Sequence, residues 1–301
     1  MRIAHLSDIH IWRFDLNPFR LLNKRAWGMM SLAAGRARRF RLERLDDVVD
    51  RVLSIKPDHI LITGDLTTTS SPAEFAGALK GLARLLVDSD RTTIIPGNHD
   101  RYTASSARSM SFEHAFGAFA PAGGYPWLRR LDRETAILGL DPTQPRITAR
   151  GYLPPEQLNK ACELIADPAE RPRRLIVACH YPVAAPPGYL YELSVKRIEN
   201  FESVRERLAT IGPHLYCCGH VHAAWAFRPP GLVDQLCLNA GAPLLRDRTG
   251  LRPPGFLEIT LEGSAVTATH HAWFGRGWRT IPLHHDPCFF PASSEIQSHA
   301  S

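Results

Sequence analysis

Residues 1–10 read MRIAHLSDIH. The run 2–7, RIAHLS, has the apolar content of a buried strand, and it meets an acid and a histidine, Asp8 and His10, as soon as it ends. The same sentence is written four more times along the chain. DHILIT (58–63) runs into Gly64-Asp65, and TTIIP (92–96) runs into Gly97-Asn98-His99-Asp100. RLIVAC (174–179) runs into His180, and HLYCC (214–218) runs into Gly219-His220-Val221-His222. Helical patterns separate these runs, over 41–55, 72–88, 154–167 and 198–210. The first is expected to bury Leu42, Leu45, Val49, Val52 and Leu53, and the second Leu79, Leu82, Leu85 and Leu86. Strands alternating with helices specify a layered α/β fold. A further strand is read at 135–140. The last four, 233–239, 255–260, 265–272 and 277–282, follow one another without helices, which implies antiparallel hairpins. The early units are therefore expected to be parallel and the late ones antiparallel.

In open α/β sheets the loops at the carboxyl ends of strands line the ligand crevice. Five such loops can bring Asp8, His10, Asp65, Asn98, His180, His220 and His222 to one place. Carboxylate, amide oxygen and imidazole are ligands for first-row metal ions, and no thiolate falls in any of the five clusters. Asp8 and His10 are two apart, so on an extended strand end they point the same way and can grip one ion; His220 and His222 repeat the spacing. Taken singly, each cluster has a plainer reading. Gly-Asp is usually a turn, Asn-His-Asp is more often a helix cap, and a lone histidine is usually a satisfied core residue. Their occurrence together, in order and always after a strand, shifts the balance to a metal site.

The ordered set SDIH, TGDLT, PGNHDR, ACHYP and CGHVH resembles the five blocks of the calcineurin-like metallophosphoesterase superfamily, from residue 3 to about 243. Asn239-Ala240-Gly241 and Gly151-Tyr152-Leu153 also fit. The blocks look most like those of the small bacterial cyclic-nucleotide phosphodiesterases. The resemblance implies a four-layer α/β/β/α sandwich of two mixed β-sheets flanked by helices. It implies two transition-metal ions, with Mn, Fe, Zn, Co and Ni all suited to the donors. One ion takes Asp8, His10 and His222, the other takes Asn98, His180 and His220, and Asp65 bridges them. His99 is implied to act on the substrate without being a ligand, and Asp100 to orient it. A cation pair sharing a water lowers its pKa, and attack on phosphorus in line with the leaving oxygen follows.

The resemblance also carries alternatives. A pyrophosphatase acting on a nucleotide-linked lipid at the membrane surface is one, although such enzymes typically have arginine where His99 stands. A catalytically silent metal-binding scaffold of the retromer type is another; there the site residues decay, whereas here every expected position is filled.

Composition sets outer bounds. The chain has 301 residues, 44% apolar and 22% charged, which suits a globular protein with a core that needs no staples. One domain is expected over 1–285, with a loose tail over 286–301. Six scattered cysteines without a CxxC pair suggest a reducing compartment. The start of the chain does not read as a signal peptide and no apolar stretch is long enough to span a bilayer, so a cytoplasmic protein is expected.

The formal charge of +6 is concentrated: between residues 16 and 42 stand seven bases (Arg20, Lys24, Arg25, Arg36, Arg38, Arg39, Arg41) and no acid. That distribution gives no general nucleic-acid signal. Residues 16–40 form an insert longer than an ordinary βα loop. It reads as a cap packed over the site, as an amphipathic segment that meets anionic lipid, or as a source of phosphate steering. This insert and the stretch 183–197 are expected to shape the pocket for a small phosphorylated substrate. Oligomeric state leaves no mark in the sequence.

Overall fold

The structure, a computed structural model, describes residues 1–14, 24–146, 148–167 and 171–292. In chain order, β1 (Arg2–Leu6) is followed by α1 (Arg25–Ala33), α2 (Leu45–Ser54), β2 (His59–Ile62), α3 (Pro72–Gly81) and β3 (Thr92–Ile94). Short helices α4 (Ala104–Arg108) and α5 (Ser111–Phe116) lead to β4 (Trp127–Arg130), β5 (Thr135–Gly139), α6 (Pro155–Glu163) and β6 (Arg174–Ala178). Then come α7 (Leu190–Lys196), α8 (Phe201–Ala209), β7 (His214–Cys218), β8 (Ala224–Phe227) and β9 (Gln235–Ala240). The described chain ends with β10 (Gly255–Glu262), β11 (Ala265–Trp273) and β12 (Trp278–Asp286).

These strands form two mixed sheets, ordered β12-β11-β10-β1-β2-β3 and β4-β5-β6-β7-β9-β8. The two-residue period of the strands explains the layers. Ile3 and Leu61 face Ile137, Ile176 and Leu215 of the other sheet, making the core between the sheets. Their neighbours Ala4, Leu6, Ile60 and Ile62 face outward against Val48, Val49 and Val52 of α2 and Phe75 and Ala78 of α3. Leu175, Val177 and Tyr216 do the same against Leu158 of α6 and Val204 and Leu208 of α8. With both faces covered, every residue of β2, β6 and β7 is buried. The expected four-layer α/β/β/α arrangement holds.

Several local expectations do not. The helix read over 41–55 begins as a tight 3₁₀ turn, Leu42–Arg44, before α2. The helix read over 72–88 ends at Gly81, and Leu79 is 37% exposed. A capping box between Ser71 and Glu74 sets the phase of α3 so that Phe75, Ala78 and Leu82 lie on its buried stripe, and Leu79 falls at the edge. The run 233–239 does not pair with the late strands: β9 lies in the second sheet, parallel to β7 and in an antiparallel hairpin with β8, while β10, β11 and β12 form a separate antiparallel meander. The pairing of β4 with β5 is antiparallel although early.

The stretch after 285 is not loose at its start. Phe289 and Phe290 are buried against the inter-sheet core, and the Phe290 N–H donates to the Ser264 carbonyl at 3.0 Å. Burial of two aromatic rings outweighs the polar composition around them. The rest of that tail, 293–301, lies outside the described residues.

Part of the 16–40 insert, residues 16–23, also lies outside them. The rest packs onto the fold. Arg25 is buried and donates to the carbonyls of Thr69 and Ser70 at 3.2 and 3.1 Å, and Met29 and Leu32 are buried beneath α1. Trp27 and Met30, on the other side of α1, are 72% and 61% exposed.

Candidate metal centre

All five acid- and histidine-bearing loops leave the carboxyl ends of β1, β2, β3, β6 and β7, and they meet. The first loop is zipped to the second: Asp8, His10 and Ile11 donate their N–H groups to the carbonyls of Gly64, Asp65 and Leu66 at 3.0, 2.9 and 2.8 Å. The fifth is tied to the fourth by the Gly219 N–H on the His180 carbonyl at 2.9 Å. Asn239 braces the same turn from β9, its Nδ2 donating to the Gly219 carbonyl at 2.5 Å.

Two glycines permit this crowding. A Cβ on Gly97 would fall on the Asp65 carboxylate and backbone, and one on Gly219 would fall on Ser7 Oγ and the Asp8 carboxylate. Neither position has room for a larger residue.

The pairing of ligands two residues apart arises differently from the extended strand end expected. Asp8, His10, Asp65, His220 and His222 all have positive φ, between 52° and 71°. Such backbone costs on the order of 1 kcal/mol per residue. Eight non-glycine residues adopt it among the described residues, so five at one place is a concentration of strain held by the loop-to-loop bonds. Between Asp8 and His10, Ile9 turns into the core at 1% exposure, which leaves the acid and the histidine on the site side.

Each carboxylate is held by one oxygen and aims the other inward. Asp8 Oδ2 accepts the His220 N–H at 2.8 Å, while Oδ1 lies 3.2 Å from His222 Nε2 and 3.7 Å from His10 Nε2. Asp65 Oδ1 accepts the His99 N–H at 2.8 Å, while Oδ2 lies 3.6 Å from His10 Nε2 and 3.3 Å from His180 Nε2. Both inward oxygens are buried and accept no hydrogen bond among the described residues.

The imidazoles converge in the same way. His10 Nε2 and His222 Nε2 are 3.1 Å apart, as are His180 Nε2 and His220 Nδ1, and Asn98 Oδ1 is 3.2 Å from His180 Nε2. His180 Nδ1 donates to the Thr63 carbonyl at 2.7 Å, which fixes the tautomer and frees Nε2 as a donor to a metal.

Two ligand sets follow, Asp8-His10-Asp65-His222 and Asp65-His180-His220, with the donor atoms of each within 4.8 Å of one another. Asn98 extends the second. Asp65 belongs to both. Buried oxygens without donors, and nitrogens that face one another, favour positive charge at the two points where they meet. The donor set of carboxylate, amide oxygen and imidazole suits a pair of transition-metal ions.

The acids and imidazoles perturb one another. Burial works to raise the Asp65 carboxyl, yet His180, His99 and His10 outweigh it and hold it well below the usual carboxylate range. Burial works to lower His180, but Asp65 and then Asp8 carry it up to about 9. His220 is pushed well down, by burial and then by His180 and Lys196.

His99 and Asp100 sit differently from each other. The His99 ring borders the cluster, 5.0 Å from the His10 ring, and stacks on Tyr102 at 5.4 Å. Its Nδ1 bonds to the Thr68 carbonyl at 2.6 Å, so Thr68 orients it. Asp100, implied by the resemblance to hold His99, instead accepts the N–H groups of Thr67 at 2.9 Å, Gly97 at 3.0 Å and Leu66 at 3.3 Å, along with the Thr67 hydroxyl at 3.0 Å. The reason is direction: its carboxylate points back under the second and third loops, where unpaired N–H groups need an acceptor. Burial and the charge of Asp65 raise the Asp100 carboxyl to about 7.

Sequence reasoning missed Thr63 and Thr68, which act through backbone carbonyls and leave no residue-type signal. Phe40, whose ring lies 4.5 Å from that of His10, and Lys196, on the His220 carbonyl, fall within the two stretches expected to shape the pocket, 16–40 and 183–197, without having been singled out there.

The chain matches the model of the calcineurin-like phosphoesterase family over residues 1–224. Among solved structures it is similar to a dimetal phosphatase from Danio rerio, at 13% identity over 94% of this chain and 99% of that one, with a TM-score of 0.60. It is also similar to the purple acid phosphatase PPD1 from yellow lupin, at 12% identity over 99% of this chain and 55% of that one, with a TM-score of 0.62. At such identities the likeness concerns the fold. No curated protein matches the chain in sequence.

Proposed function

The chain belongs to the calcineurin-like phosphoesterase family, and on that premise we propose that it hydrolyses phosphodiesters with two bound transition-metal ions, cyclic nucleotides being the substrate class. The observation that carries the dinuclear reading is the membership of Asp65 in both ligand sets. Asp8, His10 and His222 would complete one site, and Asn98, His180 and His220 the other. Ions bound there supply an activated water and offset charge on the phosphoryl oxygens.

The chain's own residues do the rest. Thr63 holds His180 in the tautomer that presents Nε2. The Thr68 carbonyl accepts the Nδ1–H of His99, so that the imidazolium form carries on Nε2 the proton that would go to the leaving oxygen. Tyr102 stacks on that imidazole and limits its rotation. Asp100 keeps the second and third loops in register beneath it.

Hydrolysis of bis-p-nitrophenyl phosphate, p-nitrophenyl phosphate and a panel of 2′,3′- and 3′,5′-cyclic nucleotides, each with Mn, Fe, Zn, Co or Ni, tests the proposal. Turnover of diesters above monoesters is expected. A preference for monoesters contradicts the phosphodiesterase assignment, and silence with every metal leaves the scaffold reading in its place.

A second reading draws on α1. Trp27 and Met30 of α1 are exposed, and so are Arg38, Arg39 and Arg41, which follow α1 in the chain. An apolar pair with flanking bases suits contact with an anionic membrane surface, as a cytoplasmic pyrophosphatase of nucleotide-linked lipids would need. Sedimentation with anionic liposomes is expected at low salt and should weaken at high salt. Protein that stays in the supernatant at low salt removes this reading and leaves α1 as a cap.

A further inference from the structure

Lys196, the last residue of α7, reaches over the Gly219–His222 turn. Its Nζ donates to the His220 carbonyl at 3.4 Å, the only partner of this ammonium among the described residues. That separation is at the long end for an N–H···O bond, and an ammonium has three protons to give. The side chain is half-buried, and burial lowers its pKa while Asp8 and Asp65 act to raise it. A cation thus lies against the turn that carries two candidate ligands, His220 and His222, with protons left to donate.

Its neighbour Arg252 is in a different state. Arg252 also reaches this turn, donating to the Val221 carbonyl at 3.4 Å, but its guanidinium is paired with Glu192 and lies over the Tyr189 ring at 5.1 Å. Glu192 and Lys196 are one turn apart on α7, so the ion pair that neutralises Arg252 also anchors the first turn of the helix whose last residue is Lys196. No residue of α7 is buried, and its exposed Leu190, Tyr191 and Val195 contribute nothing to the core. Leu193 packs against the cluster of Ala185, Val221, Ala223 and Trp225, and this contact, together with the Glu192–Arg252 pair, holds α7 at the turn, where Lys196 reaches the His220 carbonyl.

We propose that Lys196 is a substrate-binding residue whose ammonium takes an anionic oxygen of the phosphoryl compound at the metal centre. The proposal rests on the phosphoesterase reading above. The oxygen belongs either to the scissile phosphoryl group or to a second one next to it, and both present the same charge-assisted acceptor.

Lys196→Met and Lys196→Arg, compared with the full-length wild type loaded with Mn, test this. Three quantities are read: metal content, the Kd of inorganic phosphate by calorimetry, and KM and kcat on bis-p-nitrophenyl phosphate and on a dinucleoside pyrophosphate. Loss of one charge-assisted bond should raise KM in Lys196→Met about tenfold, more than it changes kcat, with metal content unaltered. Lys196→Arg should recover most of the affinity. A weaker phosphate Kd and a higher KM on both substrates assign the lysine to the scissile group, whereas a higher KM on the pyrophosphate alone assigns it to a second phosphoryl group. Unchanged KM and Kd in a metal-replete Lys196→Met protein overturn the proposal, as does a loss of metal that accounts for the whole effect. If the wild type turns over neither substrate, the phosphoesterase reading fails on its own, and the phosphate Kd still decides whether Lys196 binds the anion.

Discussion

Replacing Asp65 with alanine is expected to strip both ions from the protein and to lower turnover by more than about a thousandfold. Asp65 Oδ2 is the atom shared by the two ligand sets, 3.6 Å from His10 Nε2 and 3.3 Å from His180 Nε2, and it accepts no hydrogen bond that would survive in its place. Without it each set keeps three donors or fewer from the protein, and four imidazoles, three of them buried, lose one of the two carboxylates that compensate cations among them. The loss should be of metal and not of fold. The backbone bonds that tie the first loop to the second involve the Gly64, Asp65 and Leu66 carbonyls, and alanine retains all three. The left-handed φ of 55° at this position adds only on the order of 1 kcal/mol of strain for alanine. Elemental analysis of the variant, with far-UV circular dichroism to confirm that it is folded, checks the prediction. Two ions per chain in a folded Asp65→Ala protein would refute the bridging assignment.

Replacing His99 with alanine should have the opposite signature: both ions kept, and turnover lost by about 10²–10⁴-fold on a substrate with a poor leaving group. The His99 backbone N–H, which supports Asp65 Oδ1 at 2.8 Å, survives the substitution, so the ligand framework is left intact. Only the imidazole goes, and with it the Nε2 that the Thr68 carbonyl positions through Nδ1. A p-nitrophenolate leaving group needs little protonation, so the same variant should be far less impaired on p-nitrophenyl esters. Equal losses on good and poor leaving groups would mean that His99 serves substrate binding or structure instead of proton donation.

The fold was legible where a residue's neighbours in sequence decide its environment. The strands buried on both faces, β1, β2, β3, β6 and β7, are short apolar runs punctuated by a glycine or a charged residue, and their order sets the sheets. The candidate ligands were legible for the same reason, since each stands in the first turn after such a run. What was not legible depends on long-range contacts. The sheet to which β9 belongs is decided by pairing with β7, and the burial of Phe289 and Phe290 by packing against the inter-sheet core. The orientation of His99 was misread because Asp100 is its sequence neighbour, whereas the acceptor that reaches its ring is a carbonyl 31 positions away. The positive φ of five candidate ligands was hidden as well. Asp and His tolerate that conformation without demanding it, and here the cross-loop hydrogen bonds impose it.

The central claim is a pair of ions joined through Asp65. Anomalous diffraction from crystals of the wild-type protein reconstituted with Mn tests it most directly. Two peaks are predicted, one among Asp8, His10, Asp65 and His222 and the other among Asp65, Asn98, His180 and His220, with the Asp65 carboxylate between them. A single peak, or two peaks that do not share Asp65, would contradict it.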